Sequence, residues 1–211
     1  SDSLRRACSL RVRAIPGDIA RPRLRLTTDE WERLVHEISD IYHCGGEVDY
    51  VKPYRTLWAS NVSSTLELLR MATTGSHKTL HHISTTFVFG FTVRELWREN
   101  DVNHEMAGLN FGYAQTKWVS EQLVLQAVRN GVRARIYRPS FVTASRFGRY
   151  VRRDLLTRAF TYLIAHEVAP NSANQISCLP VDVCANNIVA LSLLDAPGAN
   201  IFHLTVDQYQ S

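Results

Sequence analysis

The sequence predicts an α/β fold, a doubly wound parallel sheet with helices packed on both of its faces. Three observations carry this expectation. Short apolar runs alternate with segments of helical period, the pattern of strands joined by crossover helices. Capping and breaking residues stand at the joints between them. At 211 residues, 45% of them hydrophobic, the chain can bury a sizeable core.

In chain order, "LRVRAI" (10–15) reads as a strand and "TTDEWERLVHEI" (27–38) as a helix, with Thr27 and Glu30 forming a capping box before Trp31. "DIYHC" (40–44) reads as a strand, "NVSSTLELLRMAT" (61–73) as a helix stopped near Gly75, and "TLHHIS" (79–84) as a strand. "GYAQTKWVSEQLVLQAVRN" (112–130) is the longest helical stretch; Asn130-Gly131 ends it before the strand "RARIYRP" (133–139). After Pro139 the pattern loosens, then tightens at "ISCLPVDVCANNIVALSLL" (176–194), where Asp182 is expected to cap a helix beginning near Val183. The expected organisation is a core over 1–140, a substrate-facing segment over 141–177, and a return to the core with the start of a C-terminal subdomain over 178–211.

Charge and composition exclude several classes. A net charge of +4 is diluted by 20 acidic residues with no long basic run, so nucleic acid is not the expected partner. Cys8, Cys44, Cys178 and Cys184 form no CxxC, and no His stands at zinc-ligand spacing from them, so reduced, mostly buried thiols are expected. His77, His81 and His82 are no better as a metal site, because adjacent strand residues face opposite sides. Trp31, Trp58, Trp97 and Trp118 are scattered and read as core. No apolar run approaches the length of a membrane span, and a cytoplasmic protein is expected.

The chemistry is written at Tyr113 and Lys117. Of 24 basic residues only Lys52, Lys78 and Lys117 are lysines, and one of these stands four residues after a tyrosine on a helix. That spacing places both on one face. A cation nearby should lower the phenol's pKa and make it a usable acid or base. Upstream, a strand ends in Ser84, Thr85 and Thr86, which puts hydroxyl donors at the carboxyl end of the sheet, where open α/β folds bind ligands.

Hydroxyl, Tyr and Lys in this order resemble the catalytic set of the extended short-chain dehydrogenase/reductases. The stretches "PGDIARPRLRLTTDEWERL", "DIYHCGGEVDYVKPYRTLWASNVSSTLELLRMA", "HHISTTFVFG", "GYAQTKWVSEQLV", "IYRPSFVTA" and "LPVDVCANNIVALSLL" are similar to the thioester reductase domains that end nonribosomal peptide synthetases and carboxylic acid reductases. The resemblance implies a Rossmann-like core and NADPH-dependent reduction of a thioester, carried on the phosphopantetheine arm of an acyl or peptidyl carrier protein, to an aldehyde or further to an alcohol. It implies Thr85, Tyr113 and Lys117 as catalytic residues, with Ser84 the second choice for the hydroxyl. Gly17, Asp18 and Ile19 would meet the adenine, with Asp18 accepting from its amino group. His43, Cys44, Gly45 and Gly46 would line the cofactor, Pro139, Ser140, Phe141 and Val142 would pack beside the nicotinamide, and Asn61 would support the site through water.

None of the ten glycines forms the GxxGxxG or GxGxxG phosphate loop. The expected sheet is therefore N-terminally incomplete, a segment of a larger multidomain protein with a small substrate-binding insertion. Other readings are a sugar-nucleotide epimerase or dehydratase, a fatty acyl-CoA reductase, or a catalytically silent Rossmann-like interaction module. Arg138, Arg146, Arg149, Arg152, Arg153 and Arg158 are either a solvated basic face or a docking face for an acidic carrier protein or the phosphate of its arm.

Overall fold

A computed structural model describes residues 9–90, 94, 96–148, 155–169, 171, 176–194 and 200–206. Helix α1 (Thr28–Glu37) starts at the expected capping box: the Thr27 hydroxyl accepts from the Glu30 amide at 3.3 Å, and the Glu30 carboxylate accepts from the Thr27 amide at 3.1 Å. It buries Trp31 and Val35 and leads into strand β1 (Asp40–His43). The next helical stretch begins seven residues before the expected Asn61, because Pro53, with its fixed φ, stands at the cap. It runs as α2 (Tyr54–Trp58), a π turn (Ala59–Ser63) and α3 (Ser64–Thr73). Strand β2 (Thr79–Ile83), helix α4 (Gly112–Arg129) and strand β3 (Ala134–Pro139) follow the sequence reading closely. The chain then forms β4 (Phe141–Thr143), α5 (Leu155–Ala165), β5 (Cys178–Pro180), α6 (Val181–Leu193) and β6 (Ile201–Leu204).

Strands β1, β2, β3 and β6 lie in that order in one parallel sheet, with Leu80 opposite Ala134 and Ile136 opposite Ile201. One face buries Ile41, Leu80 and Ile136 against Trp31, Val35, Leu68, Met71 and Val124 of the helices. The other packs Tyr137 and Leu204 against Leu179 and Cys184. Each fully buried Leu or Ile contributes about 1.5–3 kcal/mol relative to exposure, so these two cores hold the helices on opposite faces of the sheet. Strand β4 pairs with β5, which brings position 141 beside 178. No helix among the described residues is long and apolar enough to cross a membrane, and no group of three His, Cys, Asp or Glu side chains among them could hold a metal ion.

Several expectations are corrected. Residues 9–11 are helical and 12–18 irregular, so "LRVRAI" forms no strand. Among the described residues no strand flanks the outer edge of β1, and an apolar run without a ladder partner has nothing to hold it extended. Asp182 does not cap α6. Pro180 occupies the cap, which places Asp182 inside the first turn, where its carboxylate accepts from the Arg146 amide at 3.0 Å and from Arg146 Nε at 2.8 Å. Trp58 and Cys44 are exposed rather than core.

Before α1 the chain makes a left-handed turn at Arg23, Leu24 and Arg25, with φ of 48°, 56° and 57°. The Arg23 amide is held by Glu67 Oε2 at 2.9 Å, and the Asp18 amide by the Leu24 carbonyl at 2.8 Å. Residues with a Cβ are disfavoured there by about 1–2 kcal/mol each. Arg25→Gly is therefore expected to stabilise the protein by about 1 kcal/mol in urea titrations; an unchanged or lowered midpoint would show that the turn is not strained.

Candidate active site

The carboxyl ends of β1, β2 and β3 and the start of α4 surround a cleft of about 800 Å³. Helix α4 can start where it does because residue 112 is glycine. A Cβ there would lie 2.4 Å from the Tyr54 amide nitrogen and 2.5 Å from the Lys52 carbonyl oxygen. This close approach seats the next residue, Tyr113, on the cleft wall, and Lys117 lines the same wall one turn further along.

The sequence-predicted residues Thr85, Tyr113, Lys117, Cys44, Gly45, Gly46, Pro139, Ser140, Phe141 and Val142 all line this cleft, as does Ser84. His43 does not. It is buried behind the wall, with Nε2 3.2 Å from the Thr65 hydroxyl. Gly17, Asp18 and Ile19 lie beyond the lining. Gly17 has a packing role of its own, since a Cβ there would meet the Leu24 carbonyl at 2.9 Å. The Asp18 carboxylate accepts from the Ala20 amide at 2.9 Å. Ile19 borders Gly45, where an added Cβ would be 3.3 Å from its Cδ1.

The two candidate hydroxyls have different partners. Ser84 donates to Glu121 Oε2 at 2.6 Å, while Thr85 hydrogen-bonds the Tyr113 phenol and also accepts from the Phe87 amide at 3.3 Å. Thr85 is therefore the hydroxyl coupled to the tyrosine. Burial pushes the Tyr113 phenol well above its ordinary value and the neighbouring Tyr50 adds to this, outweighing the bond from Thr85. This reverses the expected Lys117 effect on the phenol. The ammonium instead donates to the Ile83 carbonyl at 2.6 Å, and desolvation governs the phenol. Burial also lowers Lys117 to about 8, against the opposing pull of Glu121 and Cys44. The same desolvation takes His43 down to about 3 and His82 well below its usual value, so both stay neutral beside the ammonium.

Asn61 sits in the π turn, an irregularity found frequently at functional sites. Its side chain pins the loop after β1, accepting from the Glu47 amide at 2.7 Å and donating to the Glu47 carbonyl at 3.0 Å and the Thr116 hydroxyl at 2.9 Å. Its carbonyl accepts from the hydroxyls of Ser120 and Thr65 at 2.9 Å each.

Sequence reasoning missed Asp49, Tyr50 and Phe87 on the wall. The Tyr50 ring lies edge-on to Tyr113, Phe87 and Phe111 at 5.7, 5.8 and 5.5 Å, and Phe87 meets Phe141 at 5.2 Å. No spacing signals this cluster, because its members come from separate segments. The arginine run also divides differently from either expectation. Arg138 is fully buried, Arg146 is paired with Asp182, and Arg158 lines the cleft. Arg149, Arg152 and Arg153 lie outside the described residues.

Residues 1–188 match the NAD-binding family model described as male sterility protein. The chain belongs to this male sterility family. Its relatives include the linear gramicidin synthase of Brevibacillus parabrevis, 34% identical over 92% of this chain and 4% of its own length. The L-2-aminoadipate reductase of Penicillium chrysogenum is 30% identical, in its large chain, over 94% of this chain and 15% of its own length. Among solved structures, the terminal R domain of the myxalamid PKS-NRPS biosynthetic pathway superposes with a TM-score of 0.92 at 36% identity, covering 97% of this chain and 52% of that one. A dTDP-glucose 4,6-dehydratase from Streptomyces venezuelae, 20% identical at a TM-score of 0.72, shares the fold alone. The resemblance to reductase domains of peptide synthetases drawn from the sequence therefore holds, as does the Rossmann-like sheet. This family member spans a small fraction of its curated relatives and about half of the solved R domain.

Proposed function

We propose that this chain belongs to an NADPH-dependent reductase that converts an acyl or peptidyl thioester, held on the phosphopantetheine arm of a carrier protein, to an aldehyde. The observation that carries the reading is the meeting of Thr85, Tyr113 and Lys117 on one cleft wall, in a fold shared with a terminal R domain. The cleft suits the nicotinamide and ribose end of a dinucleotide. Gly45 and Gly46 leave its floor free of side chains, Pro139 to Val142 offer a flat flank, and Lys117 offers a cation. When bound, the nicotinamide supplies a hydride.

The chain's own residues handle the oxygen and the proton. The raised pKa of Tyr113 keeps the phenol protonated near neutrality, and Thr85 holds it in place. When a carbonyl oxygen enters, the two hydroxyls exchange their mutual bond for donation to it as it gathers negative charge, which favours the transition state over the substrate. Tyr113 then gives up its proton to that oxygen; because burial disfavours the phenolate left behind, the phenol is a donor that must be re-protonated within the same turnover. As the C–S bond then breaks, the oxygen returns that proton to the Tyr113 phenolate and re-forms a carbonyl. The sulfur leaves as a thiolate that takes one proton from solvent, so a hydride and one proton turn the thioester into an aldehyde and a thiol. Tyr50, Phe87 and Phe141 exclude water from this step. Arg158 is the cation offered to the phosphate of the arm. The setting is a multidomain protein of the cytoplasm.

The test is to mix the protein, NADPH and a carrier-bound acyl thioester and follow nicotinamide absorbance. Turnover with the thioester and none with sugar nucleotides is expected; the reverse pattern would overturn the reading. The rate should also fall as pH rises through about 8, where Lys117 loses its charge. An activity that climbs steadily from pH 7 to 10 would show that the charged form is not the active one.

A further inference from the structure

Helix α4 carries Tyr113, Lys117 and Glu121 at four-residue spacing, and so on one face. The first two line the cleft; Glu121 lies behind it and is 2% exposed. Its carboxylate is gripped by Arg138, from Nη2 at 2.5 Å and from Nε at 3.2 Å to both oxygens. Arg138 is itself anchored, with Nη1 donating to the Asp101 carbonyl at 3.2 Å and lying 3.1 Å from His203 Nε2. The second Glu121 oxygen accepts from Ser84 at 2.6 Å, one residue before Thr85. One residue before that, the Ile83 carbonyl accepts from Lys117 at 2.6 Å. The end of β2 is thus tied to α4 by two adjacent side-chain bonds, one through each charged residue.

We propose that Glu121, held by Arg138, is a positioning residue for the reduction, fixing the end of β2 that presents Thr85 and the Lys117 ammonium beside it. This rests on the reading of Thr85, Tyr113 and Lys117 given above. Around Lys117 the interacting groups are Glu121 of its own helix, His82 of β2, His43 of β1 and Cys44 just after it. The two histidines are neutral, and Glu121 is the strongest influence keeping Lys117 charged against its burial. A buried ion pair needed only for packing could be exchanged for apolar groups at little cost. Bonded to the residue before the reacting hydroxyl and the strongest charge acting on the lysine, this pair has a second task.

Glu121→Gln alone leaves a buried guanidinium unpaired and is expected to unfold the protein. The informative variant is therefore Glu121→Gln with Arg138→Met, which removes both charges and keeps the volume. Lysine Cε NMR then follows Lys117 directly, its signal assigned by its loss in Lys117→Arg. With circular dichroism unchanged, Lys117 should titrate about one pH unit lower than in the wild type, and the alkaline fall in kcat should move with it. If neither moves, the pair is structural only. If the titration moves and kcat does not, the positioning role is overturned. Ser84→Ala, which leaves the ion pair whole, supplies the answer if the double variant does not fold. It should lower kcat about tenfold with KM and Tm nearly unchanged, since small misplacements of a reacting group are costly; an unchanged kcat overturns the proposal. A wild-type protein that reduces no thioester would sink the functional reading instead, while the NMR titration still reports whether Glu121 acts on Lys117.

Discussion

Tyr113→Phe is expected to lower the rate of thioester reduction by about 100-fold or more while dinucleotide affinity stays within about twofold. The size follows from what one positioned proton donor contributes, about 10²–10⁴ in rate. The change removes one oxygen from a ring that keeps its contacts with Tyr50, so packing is little altered. Thr85 can still donate a hydrogen bond to the oxygen, but as an alkyl alcohol it is a far weaker acid than a phenol and does not replace the proton transfer. Ser84 is occupied by Glu121, and the Lys117 ammonium is turned to the Ile83 carbonyl. Single-turnover rates and dinucleotide titration on the same preparation separate the two quantities. A variant within about tenfold of wild type, roughly 1.4 kcal/mol of barrier, would show that Tyr113 is not the acid.

Gly112→Ala is expected to destabilise the protein by about 3 kcal/mol, near the upper end for overpacking. The added methyl would stand 2.4 Å from the Tyr54 nitrogen and 2.6 Å from the Pro53 carbonyl carbon, both backbone atoms at the start of α2. Neither can swing aside as a flexible side chain could, so the start of α4 must move as a unit. Tyr113 is the next residue and moves with it, so activity should fall even at temperatures where the variant remains folded. Urea midpoints and rates measured together test this. Wild-type stability would mean that α4 and the Pro53 turn are not in close contact.

What the sequence made legible and what it hid divide along one physical line. The capping box at Thr27, the strand ending at Pro139 and the Tyr113–Lys117 spacing depend on neighbours within one or two helical turns, and all three stand where expected. Features that depend on distant segments were not readable. "LRVRAI" has strand composition, but a strand exists only with a partner. Tyr50, Phe87, Phe111 and Phe141 cluster from separate stretches. The Glu121–Arg138 pair joins a helix to a strand across 17 positions. Even at Tyr113 the local pattern misjudged the electrostatics. Four-residue spacing put a cation on the right face, while the sign of the phenol's shift was decided by burial that only the folded chain supplies.

Transfer of deuterium measures the central claim most directly. With NADPH deuterated at the transferable position of the nicotinamide and a carrier-bound acyl thioester, the product should be an aldehyde carrying one deuterium on its carbonyl carbon, with one free carrier thiol released per NADPH oxidised. Thiol release that yields an unlabelled acid, or deuterium recovered in no product, would contradict reductive release at the Thr85, Tyr113 and Lys117 cleft.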